Sequence, residues 1–176
     1  MSESSRHHRA SAPKTLNFGV FVVSSSRYTS LQEGEEVSDA SGDTINMLLK
    51  KSGHTVLFKR IIADDKVMIE DAVKSSLDNS NLDAAIFCGG TGVTHSDVTI
   101  ETVSPFFEKN LPGFGEIFRR LSYDRNGSAA VMSRAVAGIA SGKALFCIPG
   151  SPDAVLVSVE LLIAPEANHI VKHARE

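Results

Sequence analysis

Four short segments of this chain hold residue types suited to phosphate chemistry: SSSR (24–27), ADD (63–65), GGTGVTHSDVT (89–99) and PGSPD (149–153). Glycines let backbone N–H groups approach an anion closely, and the serines and threonines add hydroxyl donors. Carboxylates repel phosphate, so aspartates beside such loops imply a cation between the two. The combination points to a magnesium-bound phosphorylated ligand. Asp97 and Thr99 follow GGTG within one loop, and Ser151 opens a helix whose free amides and dipole attract anions. The pattern is neither the GxxxxGK[ST] phosphate loop nor the GxGxxG dinucleotide fingerprint, which sets those two classes aside.

These segments need a scaffold, and the sequence supplies alternating strand-like and helix-like stretches. LNFGVFVV (16–23), TVLFKRII (55–62) and DAAIFC (83–88) are nearly continuous apolar strands, as expected of a parallel sheet covered on both faces. Ile45, Leu48 and Leu49 mark a helix at about 42–52 that stops at Gly53, and Ile69, Ala72, Val73 and Leu77 mark a second. The segment between the first strand and the first helix reads as a polar loop. Phe114, Ile117, Phe118 and Leu121 mark a helix over 112–123. RAVAGIA and KALFCI, joined only by Ser141 and Gly142, must form a hairpin, so one strand is antiparallel. Ser151 as N-cap and Pro152 at the first helical position start a closing helix, followed by a short one at 165–174. The expected fold is a three-layer α/β/α domain with a mostly parallel sheet and one antiparallel strand. In such sheets ligands bind beyond the carboxyl ends of the strands, where all four segments fall.

The chain of 176 residues suits one domain of ordinary size, assigned to 15–176. Residues 1–14 are polar and aperiodic and read as a disordered N-terminal arm; His7 and His8 on it lack fixed geometry for a metal. With 18 basic and 21 acidic residues the formal charge is −3, which argues against a nucleic-acid footprint. No uninterrupted apolar run reaches the roughly 18–20 residues of a membrane span, and no leader is apparent, so a soluble cytoplasmic protein is expected. Cys88 and Cys147 sit in apolar strands as small buried hydrophobes rather than a disulfide.

GGTG, then SDVT, LPGFGEIFRRLS, SRAVAGIA and PGSPDAV, in that order, closely resemble the molybdenum cofactor biosynthesis family containing MoaB and MogA, over about residues 16–165. The resemblance implies this three-layer fold, assembly as a homo-trimer or hexamer, and adenylylation of molybdopterin by MgATP with release of pyrophosphate. The alternative within the family is a protein that binds molybdopterin without catalysis. The family's aspartate after the second strand matches Asp64 in RIIADD, with Ala63 in place of proline. Its second aspartate, in R-D-V-T, matches Asp97 in SDVT; Ser96 replaces the arginine, while Val98 and Thr99 are retained. Asp153 stands where many relatives carry lysine or asparagine. The resemblance thus assigns Asp64 and Asp97 as catalytic residues and Mg2+ ligands. Ser24, Ser26, Gly89, Gly90, Thr91, Gly92, Thr99, Pro149, Gly150, Ser151 and Pro152 become the ATP and molybdopterin contacts.

The chemistry agrees with that assignment. A phosphate monoester, with a second pKa of about 6, is mostly dianionic at neutral pH and needs no general base. Bringing two polyanions together is the difficulty, since charges a few ångströms apart repel by several kcal/mol at an effective dielectric of about 20. Asp64 and Asp97 therefore suit metal holding better than proton transfer. His95 adjoins the glycine loop as a lesser phosphate candidate. His169 and His173, four residues apart on the last helix, could present two ligands, with no third apparent.

Overall fold

The computed structural model describes residues 13–176. Most of the expected arm, including His7 and His8, lies outside the described residues. The elements run β1 (Asn17–Val23), α1 (Ser25–Gln32), α2 (Ala40–Lys51), β2 (Thr55–Ile62), α3 (Lys66–Asp78), β3 (Ala84–Cys88) and α4 (Thr99–Val103). A 3-10 turn (Ser104–Phe106) leads to β4 (Lys109–Asn110) and α5 (Pro112–Asn126). A second such turn (Gly127–Met132) precedes β5 (Val136–Ala140), β6 (Lys143–Ile148) and the continuous helix α6 (Pro152–Ala174).

The six strands are ordered β2-β1-β3-β6-β5-β4. β2, β1, β3 and β6 are mutually parallel, and β5 alone runs against them, pairing antiparallel with β6 on one side and β4 on the other. The chain moves from β1 to one neighbour, β2, then crosses back to the other, β3, which puts a topological switch point at the carboxyl ends of β1 and β3. The apolar strands bury both faces. On one, Ile45, Leu48 and Leu49 of α2 and Val155, Val159 and Ile163 of α6 pack on Phe18, Val20, Val22, Ile86 and Phe146. On the other, Ile69, Ala72 and Val73 of α3 and Val103 of α4 pack on Phe21, Phe87, Leu145 and Cys147. Cys88 and Cys147 therefore belong to opposite faces, and both are free thiols.

Three expectations need correction. The segment read as a polar loop after β1 contains α1, which buries none of its residues and so offers no apolar stripe to read; α2 also begins two residues earlier than expected. The stretch after GGTG folds into α4 and the two-residue β4, both too short for periodicity to register. The two C-terminal helices are one, joined by π-type turns over Leu156–Ile163. Pro165 lacks an N–H and its ring presses on the preceding turn, and the widened turns lie immediately upstream. By length and hydropathy alone α6 could cross a membrane, but half of its most apolar stretch is buried against the sheet. It is a core helix.

Candidate functional site

All four chemistry-bearing segments lie at the carboxyl ends of β1, β2, β3 and β6, side by side in the sheet. Each is fixed by a neighbour. The Ser24 N–H donates to the Ile62 carbonyl (2.8 Å), and the Asp64 N–H donates to Ser25 Oγ (3.0 Å), tying α1 to the β2 loop. The Gly89 N–H donates to the Ile148 carbonyl (2.9 Å), joining the glycine loop to the PGSP loop. Ser41 Oγ, in the first turn of α2, donates to the Gly150 carbonyl (2.9 Å). Cys88 lies under Pro149, its thiol pushed up to about 12 by burial and so inert.

Of the two aspartates assigned from sequence, Asp64 lies beneath Gly90 of the glycine loop and Asp97 against Gly92. Gly90 has φ +60°, and a Cβ there would lie 2.0 Å from Asp64 Oδ1 and 2.4 Å from Thr99 Oγ1. Only glycine lets the loop sit this low. Asp64 Oδ1 and Thr99 Oγ1 converge at that point, and both are buried without a hydrogen-bond partner among the described residues. Burial pushes the Asp64 carboxyl above its ordinary value, the Asp97 charge adds to this, and a backbone contact with Ser25 opposes it. Asp97 behaves in the opposite way. Its Oδ2 accepts from Thr94 Oγ1 (2.6 Å) and the Thr94 N–H (2.9 Å), and these bonds hold its carboxyl below the usual range against partial burial. It is therefore firmly ionised. These contacts make Asp97 a loop cap as well as an anion.

Gly90, Thr91, Gly92, Asp97, Pro149 and Gly150 line one cavity of about 240 Å³ together with Met132, Ser133 and Arg134. A second, of about 340 Å³, opens on the other side of Asp97, lined by Thr94, His95, Val98, Glu101 and Arg134 among others. Ser24 and Ser26 stand apart from both: their hydroxyls face each other at 3.4 Å at the start of α1, and Ser26 lines a separate depression with Arg27 and Ser30. Ser151 occupies the N-cap position of α6 as expected, but its hydroxyl makes no capping bond; it and Pro152 are exposed at the rim. The His169 and His173 Nε2 atoms lie 2.9 Å apart on α6, and no trio of metal-ligating side chains occurs among the described residues.

The sequence reading missed three polar contributors. Ser25 was passed over between Ser24 and Ser26, Ser41 sits in the segment taken for a loop, and Arg134 lies in SRAVAGIA, read only as a strand. Arg134 donates from Nε to the Thr91 carbonyl (2.9 Å) and from Nη1 and Nη2 to the two oxygens of Glu101 (2.6 and 3.2 Å).

The family described as "Probable molybdopterin binding domain" matches residues 19–169. Molybdenum cofactor biosynthesis protein B of Bacillus subtilis is 39% identical over 97% of this chain and 97% of its own length. A protein of Pyrococcus furiosus named molybdopterin adenylyltransferase is 42% identical over 96% and 97%. Among solved structures, a molybdenum cofactor biosynthesis protein B superposes with a TM-score of 0.85 at 39% identity, covering 93% of this chain and 98% of that one. The tungsten cofactor synthesizing protein MoaB from Pyrococcus furiosus gives 0.82 at 41% identity, covering 94% and 100%. The strand order, the loops at the switch point and these matches agree: the chain belongs to the molybdopterin-binding-domain family of molybdenum cofactor biosynthesis proteins.

Proposed function

We propose that the chain adenylylates molybdopterin. An oxygen of the terminal phosphate of molybdopterin attacks the α-phosphorus of ATP, the bond from that phosphorus to the bridging oxygen of the β-phosphate breaks, and pyrophosphate leaves with the electron pair. The observation that carries this reading is the convergence of Asp64 Oδ1 and Thr99 Oγ1 beneath Gly90, beside an ionised Asp97. The attacking phosphate is already a dianion, so no side chain is asked to take a proton.

The residues present fit Mg2+. Two orphaned buried oxygens and a carboxylate held charged are hard donors, and one or two carboxylates completed by substrate phosphates are a common way of binding this ion. Asp64 and Asp97 would hold it, and when bound it neutralises charge between the two polyanions. Between the turns at Gly89 and Gly92, whose own amides serve Ile148 and Asp97, the Gly90 and Thr91 amides would meet phosphate oxygens, with Thr99 below them and the Pro149–Pro152 loop closing the other wall. Ser24 and Ser26 would contact the ligand from the start of α1.

Residues 15–176 are the functional unit in this reading, residues 1–14 are dispensable to it, and the protein works in the cytoplasm. The homo-trimer or hexamer of this reading would draw on exposed apolar side chains, Ile117 and Tyr123 on α5 and Val131 (81% exposed) in the turn after it. Light scattering at micromolar concentration checks this, and a mass near the 18.8 kDa of one chain would refute it.

Incubation of the protein with molybdopterin and MgATP tests the activity. Pyrophosphate and adenylylated pterin should appear together and stop when divalent cations are chelated. Molybdopterin binding with neither product, over a wide range of protein concentration, would leave a binding protein and overturn the catalytic reading.

A further inference from the structure

Arg134 borders both cavities on either side of Asp97, and among the residues lining them it is the one permanent cation. Three of its five N–H groups are already committed. Nε holds the Thr91 carbonyl at 2.9 Å, and the two terminal nitrogens grip both oxygens of Glu101 in α4. Fork-on-fork pairing of this kind fixes the guanidinium in plane as well as in place.

What the guanidinium fixes is a single peptide unit. Thr91 C=O and Gly92 N–H belong to the same trans peptide and point in opposite directions. On the Gly92 side of this peptide the amide helps hold the Asp97 carboxyl below its ordinary range. The approach is close, since a Cβ on Gly92 would lie 2.6 Å from Asp97 Oδ2. Gly90 and Gly92 flank Thr91, so the local backbone resists rotation of this unit weakly, and an external grip is needed to hold it. Thr91 itself is buried at 3% exposure and cannot find solvent for its carbonyl by turning outward.

We infer that Arg134 is a positioning residue for adenylyl transfer: held by Glu101, it orients the Thr91–Gly92 peptide and through it the Asp97 carboxylate. It touches none of the reacting atoms. The inference rests on the proposed activity, because positioning Asp97 matters only if Asp97 serves the substrates.

The full chain is compared with Arg134→Lys, Arg134→Gln, Glu101→Gln and the double variant Arg134→Gln/Glu101→Gln. Lysine keeps the charge but cannot hold the carbonyl and both carboxylate oxygens at once. Pyrophosphate release should lose about 10²-fold in kcat in either Arg134 variant, the scale of a misplaced reacting group, while KM for molybdopterin moves by less than about threefold. Glu101→Gln should fall between these and the wild type, and the double variant should be no worse than Arg134→Gln, because both changes break one relay. Amide hydrogen exchange read by NMR should quicken at Gly90–Gly92 in every variant and stay unchanged in β3. Wild-type kcat in Arg134→Lys, or additive losses in the double variant, would overturn the inference. The exchange measurement needs no turnover: a wild type that makes no pyrophosphate refutes the adenylyl-transfer reading, whereas unaltered exchange at Gly90–Gly92 refutes the grip of Arg134 itself. Glu101 is exposed at the surface, so its variant keeps the test open if the arginine variants fold poorly.

Discussion

Replacing Asp64 by asparagine should separate stability from activity in opposite directions. The wild-type carboxylate holds one oxygen buried and unpartnered beneath Gly90, next to an equally unpartnered hydroxyl, with the charge of Asp97 nearby. A folded-state pKa above the unfolded value means that the folded protein binds this proton more tightly than the unfolded chain does. Ionised Asp64 therefore costs stability at neutral pH, and the cost disappears as the pH falls below the unfolded value of about 4. Asparagine removes the charge and offers Thr99 Oγ1 a donor, recovering part of the roughly 1–3 kcal/mol that an unsatisfied buried polar atom costs. A net gain of about 1 kcal/mol corresponds to a rise in Tm of about 2–4 °C for a chain of this size. Turnover should fall by about 10²–10³-fold, or roughly 3–4 kcal/mol, the scale of one preorganised electrostatic contact. Calorimetry at pH 7 and pH 3.5 beside a pyrophosphate assay reads both effects, and the Tm difference between wild type and variant should shrink at the lower pH. A variant less stable than wild type at pH 7, or one with near-normal turnover, would show Asp64 to be a structural anchor and refute the reasoning.

Asp97→Asn should lose turnover by a similar 10²–10³-fold, but with a small fall in Tm at pH 7, because its charge-assisted bonds from Thr94 become neutral ones. Its depressed pKa contributes stability above the unfolded value that fades as acid protonates it, so the Tm gap between wild type and variant should close on titration toward pH 2. Asp65 caps α3, accepting from the Met68 N–H at 2.9 Å, so Asp65→Asn should be silent in both assays, whereas Asp65→Ala should cost about 1 kcal/mol in denaturant melts with turnover retained. Gly90→Ala should destabilise by more than the roughly 1–2 kcal/mol of left-handed strain and abolish pyrophosphate release, since its methyl group must displace Asp64 and Thr99. Equal melting temperatures for Gly90→Ala and wild type would mean that the loop does not sit where it is described.

The scaffold was legible because its strands are buried on both faces. LNFGVFVV, AAIFC and KALFCI are apolar but for Asn17 and Lys143, and the two-residue link at Ser141–Gly142 leaves no room for a crossover, so sheet type and the single reversed strand follow from sequence. Asp64 and Asp97 were assigned by resemblance, since spacing alone could not have paired residues 33 positions apart; the fold sets them under neighbouring glycines of one loop, Gly90 and Gly92. α1 was illegible for a physical reason: it buries nothing, so SSRYTSLQ carries no apolar period and looks like the loop around it. Arg134 was hidden by its setting. An arginine at the start of an apolar strand reads as a solvated edge, and its three bonds all go to residues 33 to 43 positions earlier in the chain.

At this site the oxygens divide into those bonded by protein donors and those without a partner among the described residues. The carbonyls of Thr91, Gly90 and Gly150 are each taken by a protein donor: Arg134 Nε, the Thr99 N–H and Ser41 Oγ. The Arg134 and Ser41 bonds cross between segments, and the Thr99 bond closes the 89–99 loop on itself, so the β3 and β6 loops are tied to α2, to α4 and to the stretch leading into β5. The amide of each such trans peptide points the other way from its carbonyl: that of Gly92 serves Asp97, and those of Thr91 and Ser151 are left for an anion. The oxygens left over are Asp64 Oδ1 and Thr99 Oγ1, both buried under Gly90. An unpaired buried carboxylate oxygen is tolerated when stability elsewhere offsets it, here by two apolar layers packed on a six-stranded sheet, and strain of this kind concentrates where function requires it. In the proposed reading, donors above and unpartnered hard oxygens below would suit a polyanion together with its cation.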